Sequence, residues 1–317
     1  HPLSQRDVHF TAELGAEAMQ LACATQIEPA DGAEREDCTV LLLISSAAGY
    51  ERRRDVVRRT YLSLLDPASA ASPLSAELRA SVKYRFLLGA PEPAQAAALA
   101  AEQAEHGDLL QVAVPESYET LFPKLVASWR WAICTHKFQY FMHADDDSFV
   151  RADVVLRDVL TLGVRGDTSR VFYGAIEWSS FDRGALPSAT SPGASYSRMG
   201  WGGNAATAGR AWRKLVLERK NPRTGRSIDP KTSPGYSRYS GIDPQTNWSR
   251  VSRPFPFVKG PLKVFSGALA TLLTTGAHQL AEQAHAYAVP STVRLLADIF
   301  IGYLLASERG GLGSTAT

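Results

Sequence analysis

Short apolar runs recur along the chain at Thr39–Ile44 (TVLLLI), Val82–Leu88 (VKYRFLL), Leu109–Val114, Phe138–His143, Val171–Ile176 and Lys263–Ser266. They are rich in β-formers and too short for helices, so each predicts a strand, the first of them buried. Between Glu116 and His136 the period changes. Tyr118, Leu121, Leu125, Trp129 and Ile133 recur every three or four residues, which predicts a helix with one apolar face and with Pro123 tolerated near its first turn. Ala94–Glu105 and Leu269–Ala286 predict two more helices. Strands alternating with helices point to an α/β layered fold. From Arg183 to Arg253 the periodicity weakens and Ser, Gly, Pro and Arg accumulate, predicting long loops around one short helix, Ala211–Lys220.

Composition narrows the classes. A chain of 317 residues, 45% hydrophobic and 21% charged, forms one large globular domain or two small ones, which excludes disordered and fibrous classes. Thirty-four Lys and Arg against thirty-two Asp and Glu leave a formal charge of +2, too little for a global field that would hold nucleic acid. The longest apolar stretches, Thr39–Ala48 and Leu295–Ala306, contain no continuous run of 18 residues, as a membrane span needs. Of Cys23, Cys38 and Cys134, only Cys23 and Cys38 are near enough in sequence for a local bridge; three ordinary thiols fit equally well. Asn247-Trp248-Ser249 is a glycosylation sequon.

The sharpest chemical feature is Tyr140–Asp147 (YFMHADDD), an apolar strand running into three consecutive carboxylates. Adjacent like charges repel, so the cluster calls for a positive partner, and hard carboxylate oxygens select Mg²⁺ or Mn²⁺. Asp145 and Asp147, two residues apart, would project together from a strand end, with Asp146 pointing elsewhere. A solvated acidic turn opening the next helix would read the same way. An EF-hand is excluded, because its glycine and terminal glutamate are absent. Upstream, Arg52–Tyr61 (RRRDVVRRTY) places Arg54 and Arg58 on one helical face, suited to gripping a diphosphate, although a basic run is commonly a solvated face. Its place just after the first strand favours the ligand role, since ligands of α/β sheets gather beyond strand carboxyl ends.

Several segments together resemble the β-1,3-galactosyltransferase family, inverting enzymes that include β-1,3-N-acetylglucosaminyltransferases and fringe-like relatives. Arg54–Tyr61 is similar to its R-x-x-I-R-x-T-W signature and Phe86–Gly89 to its FLLG. Asp108–Gln111, then Glu116–Leu121 with Lys124 and Trp131, resembles its D-L/I-L/I-x…D/E-S/T-Y-x-N-L-T-x-K…W block, and Tyr140–Val150 its Y-x-x-K-x-D-D-D-x-F-V. Further on, Phe255–Gly267 resembles Y-P-P-Y-x-x-G-x-G-Y-V-L-S, Trp248 takes the place of the K-W tryptophan, and Leu296–Gly302 resembles L-E-D-V-Y-V-G. The chain departs from the family pattern at Ala297, where the glutamate stands, and at His143, where the lysine stands. No histidine occurs among the nineteen residues after Asp298, where the family can place a late metal ligand.

The resemblance implies a GT-A fold, a Rossmann-like mixed sheet flanked by helices with long acceptor-side loops. It implies a stem at residues 1–37 and a single domain at 38–309, with a nucleotide-sugar half (38–151) and an acceptor half (152–309), before a tail at 310–317. The implied reaction moves a hexose, most simply galactose from UDP-galactose, onto a glycan or glycoprotein hydroxyl in a β-1,3 linkage; UDP-N-acetylglucosamine is the alternative donor. Asp145 and Asp147 would hold Mn²⁺ or Mg²⁺, Arg54, Arg58, Lys124, Asp145 and Asp146 would face the UDP-sugar, and Asp298 would be the base. Asp298 could equally cap a helix at Ile299–Ser307. Glu177, Trp178, Trp201 and Trp248 are the expected acceptor contacts, Phe181 lying in the same loops. The implied setting is the Golgi lumen, behind an N-terminal membrane helix preceding the present sequence. A Ca²⁺-dependent carbohydrate-binding module would not need the arginines or Asp298. A degenerate partner protein would fit Ala297 and the absent histidine.

Overall fold

The computed structural model describes residues 34–117, 120–165, 171–181, 196–199, 220, 255–271, 273–274 and 297–306. They fall into two compact units whose boundaries lie at 174/175, 259/260 and 277/278.

In the first unit, β1 (Glu36–Ser45) is followed by α1 (Glu51–Arg59), α2 (Ala76–Ala80), β2 (Val82–Ala90), α3 (Ala96–His106), β3 (Leu109–Pro115), α4 (Leu121–Thr135), β4 (His136–Asp145) and α5 (Ala152–Arg165). The strands are ordered β3-β2-β1-β4, then β7 (Phe255–Ser266), and the first four run parallel. β7 lies antiparallel to β4, with Tyr140 opposite Ser266 and Ala144 opposite Leu262. At the end of β7, Ser266 N–H donates to Val171 O at 2.9 Å, just before β5 (Phe172–Phe181). The fold is therefore of the expected α/β, GT-A-like class, a mixed sheet flanked by helices.

Parallel strands bury both faces, and Val40 to Ile44 are each at most 1% exposed. On one face Val40, Leu42 and Ile44 pack with Val57, Tyr61, Phe86 and Leu99. Aromatic contacts organise a second cluster, in which Phe265 meets the rings of Trp129, Phe141 and Phe172 at 5.8, 6.2 and 4.9 Å. Local chemistry sets the helix ends. Ser75 Oγ accepts the Leu78 N–H to cap α2, and Gly107 at φ +67° stops α3 in a conformation that favours glycine. The helix expected over Glu116–His136 begins at Leu121, because Thr120 Oγ1 accepts the Ser117 N–H and closes a turn first.

In the second unit β5 pairs antiparallel with β6 (Tyr196–Met199), Trp178 opposite Met199 and Phe181 opposite Tyr196. The helix α6 (Ala297–Ala306) approaches residues 256–257 so closely that a Cβ on Gly302 would collide with Phe257 Cβ. β7 is longer than the four residues expected, extending through Gly260 at φ +78°. The expected helix Ala211–Lys220 and most of the Arg183–Arg253 stretch lie outside the described residues, as do Cys23, Asn247 and 310–317. Of the helix expected at Leu269–Ala286, residues 267–271 are helical and those from 275 onward lie outside. Cys38 and Cys134 are free thiols, Cys38 being pushed up to about 11 by burial. Among the described residues, no helix is long and apolar enough to cross a membrane.

Candidate functional site

The chain leaves β1 toward β2 and β3 on one side and returns to place β4 on the other. The carboxyl ends of β1 and β4 therefore form the topological switch point, where open α/β sheets leave a crevice for ligands. Ser45 pairs with Asp145 across this junction, so Ser46 and Asp146 are the first residues beyond it. Asp146 N–H donates to Ser45 O at 3.0 Å, and Ser46 Oγ donates to Asp146 Oδ2 at 2.6 Å. Arg53 Nη1 donates to Asp146 Oδ1 at 3.2 Å and stands 3.9 Å from Asp147 Oδ2. The three carboxylates differ sharply in exposure: Asp145 is half-buried, Asp146 buried, and the Asp147 side chain 65% exposed. Strand alternation ends at Asp145, so the expected shared projection of Asp145 and Asp147 is not set by a pleat. Among the described residues no three His, Cys, Asp or Glu side chains converge on one point.

The arginines expected to grip a diphosphate are engaged elsewhere. Arg54 is fully buried, and all five of its N–H groups have acceptors. Nε and Nη2 donate to the two Glu102 oxygens at 2.8 and 2.6 Å, Nη1 to Ser46 Oγ at 3.1 Å and Ala47 O at 2.6 Å, and Nη2 also to Ala48 O at 3.3 Å. Arg58 forks onto Asp108 with two bonds of 2.8 Å and reaches Glu102 Oε1 at 2.7 Å and Asp55 Oδ1 at 3.0 Å. Burial works against the Arg58 charge, but its hydrogen-bonded carboxylates outweigh that and hold the guanidinium above its ordinary value. Both residues anchor α1 and the 46–48 turn to α3 and the start of β3. The exposed cations of this segment are Arg52, Arg53 and Arg59.

Lys124 is likewise internal. At 1% exposure its Nζ donates to Ser46 O and to both Glu116 oxygens, each at 2.8 Å. Burial lowers its pKa against the pull of Glu116, Asp146 and Asp145. Glu116 Oε2 also accepts the Gly89 N–H at 2.7 Å, and a Cβ on Gly89 would stand 3.0 Å from that oxygen and 2.6 Å from Val114 O. The glycine of Phe86–Gly89 thus lets the carboxylate reach the lysine. Lys124 and Arg54 hold the turn after β1 through its carbonyls, and Ser46 passes that constraint to Asp146. His143, which replaces the family's lysine, is buried; its Nε2 lies 2.7 Å from Ser45 Oγ, and burial holds it well below its ordinary value.

A cleft of about 640 Å³ opens on the exposed side, bounded by Arg52, Arg53, Arg59, Tyr61, Asp146, Asp147 and Phe149 among others. Tyr61 stands where the family has tryptophan; its ring meets Phe149 edge-on at 5.8 Å, and its buried hydroxyl has no hydrogen-bond partner. Sequence reasoning missed Ser46, Glu102, Arg53 and Tyr61 as members of this site. Asp108 and Glu116 stood inside quoted motifs and were identifiable there as carboxylate partners.

The profile of the Galactosyltransferase family matches residues 52–181 of this chain, the segment that builds the switch-point cleft. Over this segment the chain is similar to the galactosyltransferase family. It is 37% identical over 142 residues to beta-1,3-galactosyltransferase 6 of Mus musculus, covering 43% of this chain and 42% of that protein. It is 32% identical over 120 residues to beta-1,3-galactosyltransferase brn of Drosophila melanogaster, covering 37% and 33%. It is 29% identical over 123 residues to the human lactosylceramide 1,3-N-acetyl-beta-D-glucosaminyltransferase, covering 37% and 30%. The match thus spans less than half the length of these relatives.

Of the expected site residues, Arg54, Arg58, Lys124, the acidic triplet, Glu177 and Trp178 fall inside the matched segment, whereas Trp201, Trp248 and Asp298 fall beyond it. In the second unit Glu177 Oε1 accepts from Lys259 Nζ at 2.7 Å, and Trp178 lies on β5. Trp201 and Trp248 lie outside the described residues. Asp298 is half-buried in the first turn of α6, which begins at Ala297, so it sits within the helix rather than capping Ile299–Ser307. A carboxylate there is favoured by the helix dipole.

Proposed function

We propose that this protein is an inverting, metal-assisted glycosyltransferase that moves galactose from UDP-galactose onto a sugar or glycoprotein hydroxyl to form a β-1,3 linkage. What supports this most is the joining, at one switch point inside the family-matched segment, of an acidic triplet, exposed arginines and an open cleft. Arg52, Arg53 and Arg59 present guanidinium groups that suit a diphosphate. Asp145 and Asp147 would hold Mn²⁺ or Mg²⁺, and the donor set fits, being hard carboxylate oxygens with one strongly exposed member and room for phosphate oxygens. Such an ion, when bound, stabilises charge on a departing diphosphate. Arg54, Arg58 and Lys124 keep the Ser46–Asp146 junction rigid. Asp298 takes the acceptor hydroxyl proton, with Glu177, Trp178, Trp201 and Trp248 on the acceptor side.

N-acetylglucosamine transfer is the second reading, favoured by the activity for which the human relative is named. Incubation with UDP-galactose, UDP-N-acetylglucosamine and UDP-glucose, Mn²⁺ and a panel of glycan acceptors tests both. A β-1,3-galactosylated product supports the first, an N-acetylglucosaminylated one replaces it with the second, and the absence of transfer from every donor overturns the enzymatic reading in favour of a degenerate partner. A secretory, membrane-tethered setting belongs to the same proposal; a glycan on Asn247 of the native protein is its marker.

A further inference from the structure

Arg53 differs from its neighbours in how it is held. Arg54 and Arg58 are fixed by carboxylates on other elements, whereas the Arg53 side chain is 46% exposed and touches the triplet from the cleft side. Its Nη1 lies 3.2 Å from Asp146 Oδ1 and 3.9 Å from Asp147 Oδ2, and its guanidinium carbon lies 4.2 Å from the centre of the Tyr50 ring. Asp146 Oδ2, on its other side, is taken by Ser46. The guanidinium therefore stands at the exposed opening of the triplet, where a divalent cation bound to Asp147 would come within a few ångströms of it.

We propose that Arg53 is an exchangeable internal counter-ion of the acidic triplet, displaced when a divalent cation binds and then turned toward the diphosphate of the donor in the same cleft. This rests on the metal-assisted reading above. The physical reason is that a unit charge and a divalent ion repel strongly at contact distance, so both cannot lie on Asp147 at once. The guanidinium must move, and its flexible stem and single aromatic platform allow it to. A bound diphosphate supplies the displaced cation with a new partner. Metal and nucleotide should therefore bind cooperatively, and linkage requires each to tighten the other by the same factor.

The test is Mn²⁺ binding, read from the electron paramagnetic resonance of the free ion, with and without UDP, in the parent, Arg53→Gln, Arg52→Gln and Asp147→Ala proteins. Arg53→Gln should bind Mn²⁺ alone roughly thirty-fold more tightly than the parent, the factor expected for removing a unit charge about 4 Å from a divalent ion in a water-like dielectric. Arg52→Gln, which removes the same charge without a contact to the triplet, should change Mn²⁺ affinity in the absence of UDP by less than about two-fold. UDP should tighten Mn²⁺ binding more in the parent than in Arg53→Gln. Tyr50→Leu, which removes the platform but no charge, should shift Mn²⁺ affinity in the same direction and serves if Arg53→Gln does not fold. Equal or weaker Mn²⁺ binding by Arg53→Gln, with Asp147→Ala having lost it, overturns the counter-ion proposal alone. If the parent binds no Mn²⁺ with or without UDP, or Asp147→Ala binds it as the parent does, the metal-assisted reading falls and the proposal with it.

Discussion

Replacing Arg54 by Met tests whether the signature arginine acts on ligand or on structure. The thioether side chain fills the volume of the arginine stem but supplies none of the five donated bonds. Glu102, whose side chain is 3% exposed, would keep only Arg58 as a cationic partner, and Ala47 O, Ala48 O and Ser46 Oγ would lose their donor. Removing one member of a buried pair costs about 3–5 kcal/mol, of which better apolar packing returns a part. A net loss of about 3 kcal/mol, at a urea slope of about 2–3 kcal/mol/M, predicts a midpoint lower by about 1–1.5 M with an unchanged slope. Arg54→Lys keeps the charge but loses the fork, so it should fall between Met and the parent. Glu102 adds a pH signature. Burial pushes its carboxyl up, but the bonds from Arg54 and Arg58 outweigh this and bring it below the ordinary 4.5. Its contribution is therefore complete above about pH 4.5 and is lost as pH falls through the lower folded-state value; Glu102→Gln should flatten that acid limb of the stability curve. A midpoint within about 0.5 M of the parent, together with lost UDP binding by calorimetry, would refute the structural assignment and return Arg54 to the diphosphate.

Three further outcomes are expected. Asp298→Asn should lower turnover by roughly 10²- to 10⁴-fold with UDP affinity and melting temperature unchanged, measured by initial-rate kinetics; transfer near the parental rate removes Asp298 as the base. Asp147→Ala should abolish Mn²⁺-dependent UDP binding in calorimetry without lowering the melting temperature, because its side chain is 65% exposed. Gly302→Ala should destabilise by about 1–3 kcal/mol in urea unfolding, since the added methyl would sit 2.5 Å from Pro256 O and 2.7 Å from Phe257 Cα; unchanged stability would show that α6 can move off the strand.

The alternation of short apolar runs with a 3.6-residue period was enough to establish an α/β fold, because burial of one face writes a period into the residues of each element. Thr39–Ile44 and the α4 face carry that record plainly. Weakly patterned pieces do not: Tyr196–Met199 is too short to show a period, and β7 contains Pro256, Gly260 and Pro261, which read locally as breakers. At the site, the residue types and spacings identified the family segment and the acidic triplet. Side-chain roles were another matter. Glu102 reaches Arg54 across 48 positions, Asp146 reaches Ser46 across 100, and no local period encodes such pairings. From sequence, Arg54, Arg58 and Lys124 are three cations beside three carboxylates. Only the tertiary structure turns them inward, onto Glu102, Asp108 and Glu116, because a buried guanidinium or ammonium must find acceptors inside the protein. The same constraint leaves Arg52, Arg53 and Arg59, on the exposed side of the same helix, as cations that line the cleft.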